Sequence, residues 1–346
     1  MSNALLVSMT RPLTRYRLGV RLNNPSPLQF CGVQVNYSAG VAKLKRSPGG
    51  MGGGMSRLHV PAVLYAAKRL AKADAMQWIY RVKTLIPPGL WRAVTGPYWW
   101  WYNRARHQVA AALSPHRTRS IPVLRSFRDR HRGERCFILG NGPSLRQTDL
   151  SLLKNEVSFG MNRIYLLFPE LGFGTTYYLS VNTLVVEQCA QEIRALQMPK
   201  FITWRARRWL SRDPRVVFLD TDYTPPATFS KEVSGRVFEG STVTYVAMQL
   251  AYHMGFDEVI LIGVDHNFST RGPANVTVVS EGADLNHFAP DYFGKGFRWQ
   301  LPDLGASEFA YRLAKEAFET NGRRVLDATL GGKLTVFPKV DLGSLF

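Results

Sequence analysis

Residues 136–145 read CFILGNGPSL. The stretch begins with four apolar residues, which are followed by two glycines separated by one asparagine and then by Pro-Ser-Leu. The CFIL run has the length and composition of a buried strand, and Pro143 suits the first turn of a helix. Gly140 and Gly142 permit a sharp turn and let a ligand come close to the backbone. The stretch therefore predicts a strand, a tight turn and the start of a helix, which is the junction of a βαβ unit.

Apolar strands and helical stretches alternate from this point to the C-terminus. The further runs that predict strands are EVSFGM, TTYYLSVN, PKFITWR, RVVFLD, DEVILIGVDHNF and RRVLDAT, and those that predict helices are STVTYVAMQLAYHMGF and SEFAYRLAKEAFETNG. DEVILIGVDHNF is almost continuously apolar, as is typical of a parallel strand buried on both faces. Strands that alternate with helices predict an α/β fold, here a Rossmann-like, mostly parallel sheet with helices on both faces.

The positive charge of the chain lies in its N-terminal third. Residues 1–130 carry 21 Lys and Arg and two acids, whereas residues 131–346 carry 23 of each, so the net charge of +19 belongs to the first part. The α/β domain is expected over residues 121–346, preceded by a basic helical region over residues 55–120. Residues 1–54 end in the glycine tract SPGGMGGG and predict disorder, or a start assigned too far upstream.

The basic region is rich in tryptophan. Within residues 56–113, apolar side chains recur at helical spacing beside Lys and Arg, and residues 99–101 are three consecutive Trp. Clustered Trp beside cations is typical of a helix at an anionic membrane surface. The alternatives are a helical hairpin that packs within the chain or an oligomer, and nucleic-acid binding, which the pattern favours least. The sequence predicts no oligomeric state.

Neither a run of about 18 apolar residues nor a secretory signal is visible, so no spanning helix is expected. The chain has three Cys without metal-ligand spacing, and Cys136 lies inside an apolar strand, which indicates a reducing compartment. Together with the basic Trp-rich region, this predicts a cytoplasmic protein that is peripheral at the inner face of the cytoplasmic membrane.

Polar residues follow several of the predicted strands. In open α/β sheets ligands bind at the carboxyl ends of the strands, and helix N-termini favour phosphate. Ser241 is also the expected N-cap of a helix, and each asparagine alone is equally consistent with a turn residue. Together these positions predict a nucleotide site formed by Gly140, Asn141, Gly142, Pro143, Ser144, Asn162, Asn182, Gly240, Ser241 and Asn267.

The segment DLNHFAPDYFGKGFRWQLPD, residues 284–303, concentrates titratable and aromatic side chains with little regular period. His287 is the candidate general base because an imidazole titrates near working pH. Asp265 and Asp291 are further catalytic candidates. A phosphate leaving group is expected to be stabilised by Tyr292, Lys295 and Arg298. The alternative is a solvated loop with a capping histidine.

Three phrases in this part of the chain are specific enough to resemble a family: GNGPSL, GSTVTYVAMQLAYHMGFDEVILIGVDHNF and NHFAPDYFGKG…GGKLTVF. From Arg135 to the C-terminus the chain resembles the MptE-like family. That family includes archaeal 6-hydroxymethylpterin diphosphokinases and is also found in bacterial surface-polysaccharide gene sets. More distantly, the chain is similar to bacterial sialyltransferases of glycosyltransferase family 42, which use CMP-sialic acid without a metal.

The second resemblance implies roles for individual residues. It implies that Asn141, Asn162 and Asn182 line the nucleotide pocket and that Gly240 and Ser241 lie by the donor. It also implies that Asp265 lies near the ribose or cytosine and that His287 is the catalytic base. This chain has Asn267 where the sialyltransferases have a tyrosine that contacts the CMP phosphate, which puts sialic acid as the donor in doubt.

Three functions remain open at this stage. The first is a glycosyltransferase of bacterial surface-polysaccharide biosynthesis, which takes a nucleotide-sugar donor and a glycan or lipid-linked acceptor and needs no cofactor. The second is a diphosphokinase that transfers pyrophosphate from ATP and needs Mg²⁺, for which Asp265, Asp284 and Asp291 are the expected ligands. The third is a non-catalytic nucleotide-binding module.

Overall fold

The computed structural model describes residues 105–224, 227–269 and 272–346, together with the backbone of strands at 28–30, 33–38 and 41–46. The chain divides into two compact units, residues 1–91 and 92–346. Most of the basic Trp-rich region therefore lies outside the described residues, and the predictions made for it stay predictions. None of the helices in the described ranges is both long and apolar enough to cross a bilayer.

The first unit is described only by a small sheet. Strands β1 (Leu28–Phe30), β2 (Val33–Ser38) and β3 (Val41–Arg46) pair in antiparallel order. These strands fall within residues 1–54, for which the sequence predicted disorder. The rest of that stretch lies outside the described residues.

The second unit is built on a parallel sheet. Its strands are β4 (Arg135–Leu139), β5 (Ser158–Met161), β6 (Tyr177–Ser180), β7 (Lys200–Thr203), β8 (Val216–Asp222), β9 (Arg236–Phe238), β10 (Glu258–Ile262) and β13 (Arg324–Asp327). The sheet has eight strands in the order β13-β10-β4-β5-β6-β7-β8-β9, and each neighbouring pair is parallel. A separate antiparallel ribbon consists of β11 (Thr277–Val279) and β12 (Arg298–Gln300).

Helices fill the connections between these strands. The α-helices are α1 (Pro115–Ser126), α2 (Phe168–Leu171), α3 (Thr183–Gln188), α4 (Ala190–Ala195), α5 (Arg207–Leu210), α6 (Val243–Met254) and α7 (Leu304–Glu319), and residues 105–112 are also helical. The 3₁₀ helices are Pro143–Gln147, Leu150–Leu153, Ile164–Leu167, Trp204–Ala206 and Gly343–Leu345. The helix expected to begin at Pro143 is thus a short 3₁₀ helix.

The sheet is covered on both faces, as the sequence predicted. Along β4, Cys136 and Ile138 join one apolar cluster, whereas Phe137 and Leu139 join the other. The first cluster includes apolar residues of α6 and α7, and the second includes residues of α3, α4 and α5. Because alternate side chains of a strand point to opposite faces, both faces of β4 are buried. The prediction of a Rossmann-like α/β fold is confirmed.

The strand order reverses between β4 and β10. From β4 the chain adds β5 to β9 on one side of β4, whereas β10 pairs with β4 on the other side and is followed outward by β13. A crevice opens at the carboxyl ends of the strands where such a sheet reverses direction. The stretch quoted first, at the end of β4, lies at this reversal point.

Candidate functional site

A cavity of about 1080 Å³ opens at the carboxyl edge of the sheet and is large enough for a nucleotide-sized ligand. The predicted residues that line it are Gly140, Asn141, Gly142, Asn162, Asn182, Gly240, Ser241, Asp265, Asn267 and His287. The predicted residues that are not among the lining residues are Pro143, Ser144, Asp284, Asp291, Tyr292, Lys295 and Arg298. The fold thus gathers residues that are distant in sequence around one hollow.

The turn after β4 is packed directly against the end of β10. The amide of Gly140 donates to the carbonyl of Ile262 at 2.7 Å, and the amide of Gly142 donates to the carbonyl of Gly263 at 2.9 Å. A Cβ at position 140 would lie 2.1 Å from the Gly263 carbonyl oxygen, and one at position 142 would lie 1.8 Å from Oδ2 of Asp265. Position 140 therefore requires glycine because the backbone of the opposite strand end leaves no space, whereas a side chain at position 142 would displace the Asp265 carboxylate.

Asp265 connects the two strand ends. Its Oδ1 accepts a hydrogen bond from the amide of Ser144 at 3.1 Å, and its Oδ2 accepts one from Oγ of Ser144 at 2.7 Å. Ser144 was predicted to contact the ligand, but it is buried and both its amide and its hydroxyl serve Asp265. The Asp265 carboxylate thus has the partners that a carboxylate at a buried strand end requires.

The three predicted asparagines reach the cavity from successive strand ends. Oδ1 of Asn162 accepts from Oγ of Ser180 at 2.9 Å, and Oδ1 of Asn182 caps α3 by accepting from the amide of Leu184 at 2.9 Å. These bonds leave the side-chain NH₂ groups available as donors to a ligand. Oδ1 of Asn141 is buried and has no hydrogen-bond partner within the described part of the chain.

His287 forms a close pair with a buried carboxylate. Its Nδ1 lies 2.8 Å from Oδ2 of Asp284, which also accepts from the amide of Phe293 at 3.2 Å, while Oδ1 accepts from the amide of Asn286 at 2.8 Å. Burial alone would raise the pKa of Asp284, but these hydrogen bonds outweigh it and lower the pKa below its ordinary value. The ionised carboxylate holds the proton on Nδ1, so Nε2 is the basic nitrogen of the ring.

The loop that carries His287 is fixed against the turn after β4. The amide of Phe288 donates to the carbonyl of Asn141 at 3.0 Å, and Nε of Arg146 donates to the carbonyl of Phe288 at 2.6 Å. The His287 ring stacks on Tyr292 with centroids 4.0 Å apart and planes inclined by 7°. These contacts determine the position of the imidazole relative to the predicted nucleotide site.

The three predicted leaving-group residues lie elsewhere. Tyr292 is buried beneath His287, where its hydroxyl accepts from the amide of Arg163 at 3.2 Å. Lys295 is exposed, and Arg298 is exposed and lies 3.1 Å from a carboxylate oxygen of Glu187. Tyr292 therefore supports the imidazole ring, and none of the three is placed to contact a ligand in the cavity.

The turn before α6 forms a second part of the lining. Gly240 and Ser241 both have left-handed backbone, with φ of 54° and 61°, and a Cβ at Gly240 would lie 2.5 Å from the ring of Tyr245. The prediction that Ser241 caps this helix is wrong. Thr242 is the N-cap, because its hydroxyl accepts from the amide of Thr244 at 3.3 Å.

At its far end the cavity has charged residues that the sequence analysis missed. Arg205 follows β7, Asp222 ends β8 and Glu239 follows β9, and all three line the cavity. Arg205 forms an ion pair with Glu239, and burial raises the pKa of Glu239 although Arg205 opposes the shift. The signal that would have identified them is the one used for the asparagines, namely a polar residue at the end of a strand or within two residues of it.

The predicted magnesium ligands are not gathered into one group. The Asp265 carboxylate is hydrogen-bonded to Ser144, and the Asp284 carboxylate is hydrogen-bonded to His287. Asp291 is exposed and does not line the cavity. Among the described residues, no group of three or more His, Cys, Asp or Glu could hold a metal ion. These three residues therefore do not fit the convergent oxygen ligands that Mg²⁺ requires.

Comparison with known proteins supports the family resemblance. Residues 114–271 match the family model described as 6-hydroxymethylpterin diphosphokinase MptE-like, so the resemblance to that family is confirmed over this range. No curated protein sequence matches the chain. The structure of the MAf glycosyltransferase from Magnetospirillum magneticum AMB-1 is similar over 68% of this chain and 40% of that chain, with 15% identity and a TM-score of 0.40. The chain thus spans about two fifths of the length of that protein.

Proposed function

We propose that this chain with an MptE-like region is a transferase, and specifically a glycosyltransferase that uses a nucleotide sugar. The observation that carries the proposal is the His287–Asp284 pair, because its imidazole lines the same cavity as the turn after β4. A base oriented by a carboxylate beside a nucleotide-sized cavity is the arrangement needed to activate an acceptor hydroxyl.

In the proposed reaction Nε2 of His287 takes the proton of the acceptor hydroxyl as its oxygen attacks the anomeric carbon of the donor. The bond between that carbon and the phosphate oxygen breaks, its electrons remain on the phosphate, and the nucleotide leaves. Asp284 keeps the Nδ1 proton in place and stabilises the imidazolium that forms. A positioned base of this kind typically accelerates transfer by about 10²–10⁴-fold.

The charges of the cavity favour a nucleotide sugar over ATP. Within the described residues, the lining has four carboxylates, one arginine and no lysine. The triphosphate of ATP would require cationic partners, whereas a sugar donor carries fewer phosphate charges. The name of the matched family keeps pyrophosphoryl transfer from ATP as the second candidate, and a non-catalytic nucleotide-binding module is the third.

The acceptor and the location of the enzyme are part of the same proposal. The basic Trp-rich residues 56–113 would hold the protein at the inner face of the cytoplasmic membrane, where lipid-linked or growing glycan acceptors of a bacterial surface polysaccharide are available. The argument for this location is the sequence pattern of that region.

The test is a binding and transfer panel with CMP-, UDP- and GDP-sugars and ATP, each with and without Mg²⁺. We expect one class of nucleotide sugar to bind without Mg²⁺ and to be turned over in a manner that depends on His287. Binding of ATP alone, and only with Mg²⁺, would instead support the diphosphokinase. Nucleotide binding with no turnover, unaffected by His287→Gln, would support the non-catalytic module.

A further inference from the structure

A second histidine–carboxylate pair faces the same cavity. Nε2 of His266 lies 3.1 Å from Oε1 of Glu308 on α7, and the His266 side chain is only 7% exposed. His266 lines the cavity together with His287. The Glu308 side chain is 37% exposed, so only the imidazole of the pair is buried. The proposed function leaves this pair without a role.

The backbone at His266 adopts an unfavourable conformation that its neighbours hold in place. Its φ is 54°, in the left-handed region, which is uncommon for residues other than glycine although histidine is enriched there. The preceding residue, Asp265, is fixed by Ser144 through its side chain and by the amide of Lys333, which donates to its carbonyl at 2.8 Å. Backbone strain that is held by surrounding contacts is concentrated at functional sites.

His266 lies between the two turns that could bind phosphate. On one side it is adjacent in sequence to Asp265, which is bonded to the turn after β4. On the other side its ring meets the ring of Tyr311 edge-on, with centroids 6.2 Å apart, and the Tyr311 hydroxyl lies 3.3 Å from Oγ1 of Thr242, the cap of α6. A phosphate bound by both turns would therefore lie beside this imidazole.

The described lining has few other groups able to neutralise a departing phosphate. Arg205 is its one cationic side chain of the Lys or Arg type, and Arg205 is paired with Glu239. The residues predicted for this task lie outside the cavity lining. An imidazole supported by a carboxylate can carry a proton and donate it to an oxyanion.

We propose that His266 is the leaving-group acid of this site and that Glu308 is the positioning residue that orients its ring. This assignment rests on the proposed glycosyl transfer. In this step His266 starts as the imidazolium, with its Nε2 proton directed to Glu308. As the bond between the anomeric carbon and the phosphate oxygen breaks, the Nδ1 proton of His266 moves to the oxygen that receives the electron pair, and the neutral ring keeps its Nε2 proton. Nε2 of His287 has meanwhile taken the acceptor proton, and exchange with solvent restores both histidines.

The experiment compares nucleotides with the corresponding nucleosides on the full chain. Calorimetry measures the affinities of CMP, UDP, GDP and ADP, and competition measures those of cytidine, uridine, guanosine and adenosine. The variants are His266→Asn, chosen because asparagine tolerates a left-handed backbone, and Glu308→Gln. His116→Gln on α1, outside the cavity lining, is the matched control. Thermal unfolding checks that each variant is folded.

We expect His266→Asn to lower the affinity for the nucleotide that binds wild type by about tenfold or more, because a hydrogen bond to a charged group is removed. The affinity for the corresponding nucleoside should be unchanged. Glu308→Gln should show a smaller loss that is also specific to phosphate, and His116→Gln should show none. Equal losses for nucleotide and nucleoside, or no loss for either, would overturn the assignment of His266 while leaving the proposed function intact. If wild type binds none of the nucleotides, the proposed function and this assignment both fail.

Discussion

Nδ1 of His287 lies 2.8 Å from Oδ2 of Asp284, although the two residues occupy a loop without regular secondary structure. The pair is held by its surroundings, since Asp284 also accepts two backbone hydrogen bonds and the imidazole stacks on Tyr292. Because the pKa of Asp284 is lowered by these bonds, its carboxylate remains ionised at neutral pH and fixes which nitrogen of His287 is basic.

Replacement of either member of this pair should reduce transfer without abolishing the fold. His287→Gln removes the base and is expected to lower kcat by about 10²–10⁴-fold. Asp284→Asn keeps the shape but no longer fixes the proton on Nδ1, so a smaller fall in kcat is expected, with KM for the donor little changed. Steady-state kinetics with the donor identified by the binding panel measures both effects.

Asp291→Asn is the control for this pair, because Asp291 is an exposed acid in the same loop and is not among the lining residues. Its kcat is expected to stay within about twofold of wild type, the range of a surface change that affects no partner. If Asp291→Asn loses as much activity as Asp284→Asn, the assignment of Asp284 as the carboxylate that orients His287 is wrong.

A methyl group at Gly142 should damage the site because of its contact with Asp265. The added Cβ would lie 1.8 Å from the Asp265 carboxylate, so that side chain must move away from Ser144. Gly142→Ala is expected to destabilise the fold by about 1–3 kcal/mol and to weaken nucleotide binding. Gly282→Ala, where a Cβ meets nothing within 4 Å, is the matched control and should change neither. Unchanged nucleotide binding in Gly142→Ala would show that binding does not depend on the position of the Asp265 carboxylate.

The sheet and the residues at its strand ends could be predicted because both depend on local pattern. The apolar run of β10 has the composition of a parallel strand paired on both sides, and Asn141, Asn162 and Asn182 each lie within two residues of the end of such a run. Parallel strands align their carboxyl ends, so position in the sequence is enough to place these asparagines at one edge.

The predictions that failed concern side chains whose positions are determined by tertiary contacts. Ser241 and Thr242 are both suitable helix caps, and only the left-handed backbone at Ser241 shows that the helix begins one residue later. In the loop over residues 284–303 no period indicates which side chains point inward, so Tyr292 was interpreted as a ligand contact although it lies beneath His287. The His266–Glu308 pair joins residues 42 positions apart, which no local pattern reveals.

The stability of the domain should depend on pH through His107. Burial, and to a lesser extent the nearby Arg205, lowers the pKa of His107, and the indole of Trp204 donates to its Nε2 at 3.2 Å, which requires that nitrogen to be unprotonated. The pKa of His107 in the folded state therefore lies below its unfolded value of about 6.5. Neutral His107 contributes to the free energy of unfolding above pH 6.5, and this contribution is lost as the pH falls through the folded-state pKa.

His107→Gln should therefore flatten the dependence of stability on pH. Urea unfolding at pH 7.5 and pH 5.0 is expected to show a larger loss of unfolding free energy for wild type than for His107→Gln over this interval. Glutamine can still accept from Trp204 but does not titrate, so it isolates the effect of protonation. Equal losses of unfolding free energy in the two proteins would show that protonation of His107 does not destabilise the fold.

Binding to anionic membranes is expected to require the three Trp at residues 99–101, because interfacial rings supply apolar burial that Lys and Arg alone do not. The variant is the full chain with these three Trp changed to Ser. It keeps Ala111, a core residue that is 1% exposed and that a deletion of the whole basic region would remove. Sedimentation with vesicles that contain phosphatidylglycerol should be strong at low salt and lost in this variant. Leu330→Ser, which removes an exposed apolar side chain elsewhere, should sediment as wild type does. Sedimentation of the Trp variant at the wild-type level would favour packing of these rings within the protein. Equal binding to uncharged vesicles would contradict the role of the cations, since each cation contributes about 1 kcal/mol only near an anionic surface.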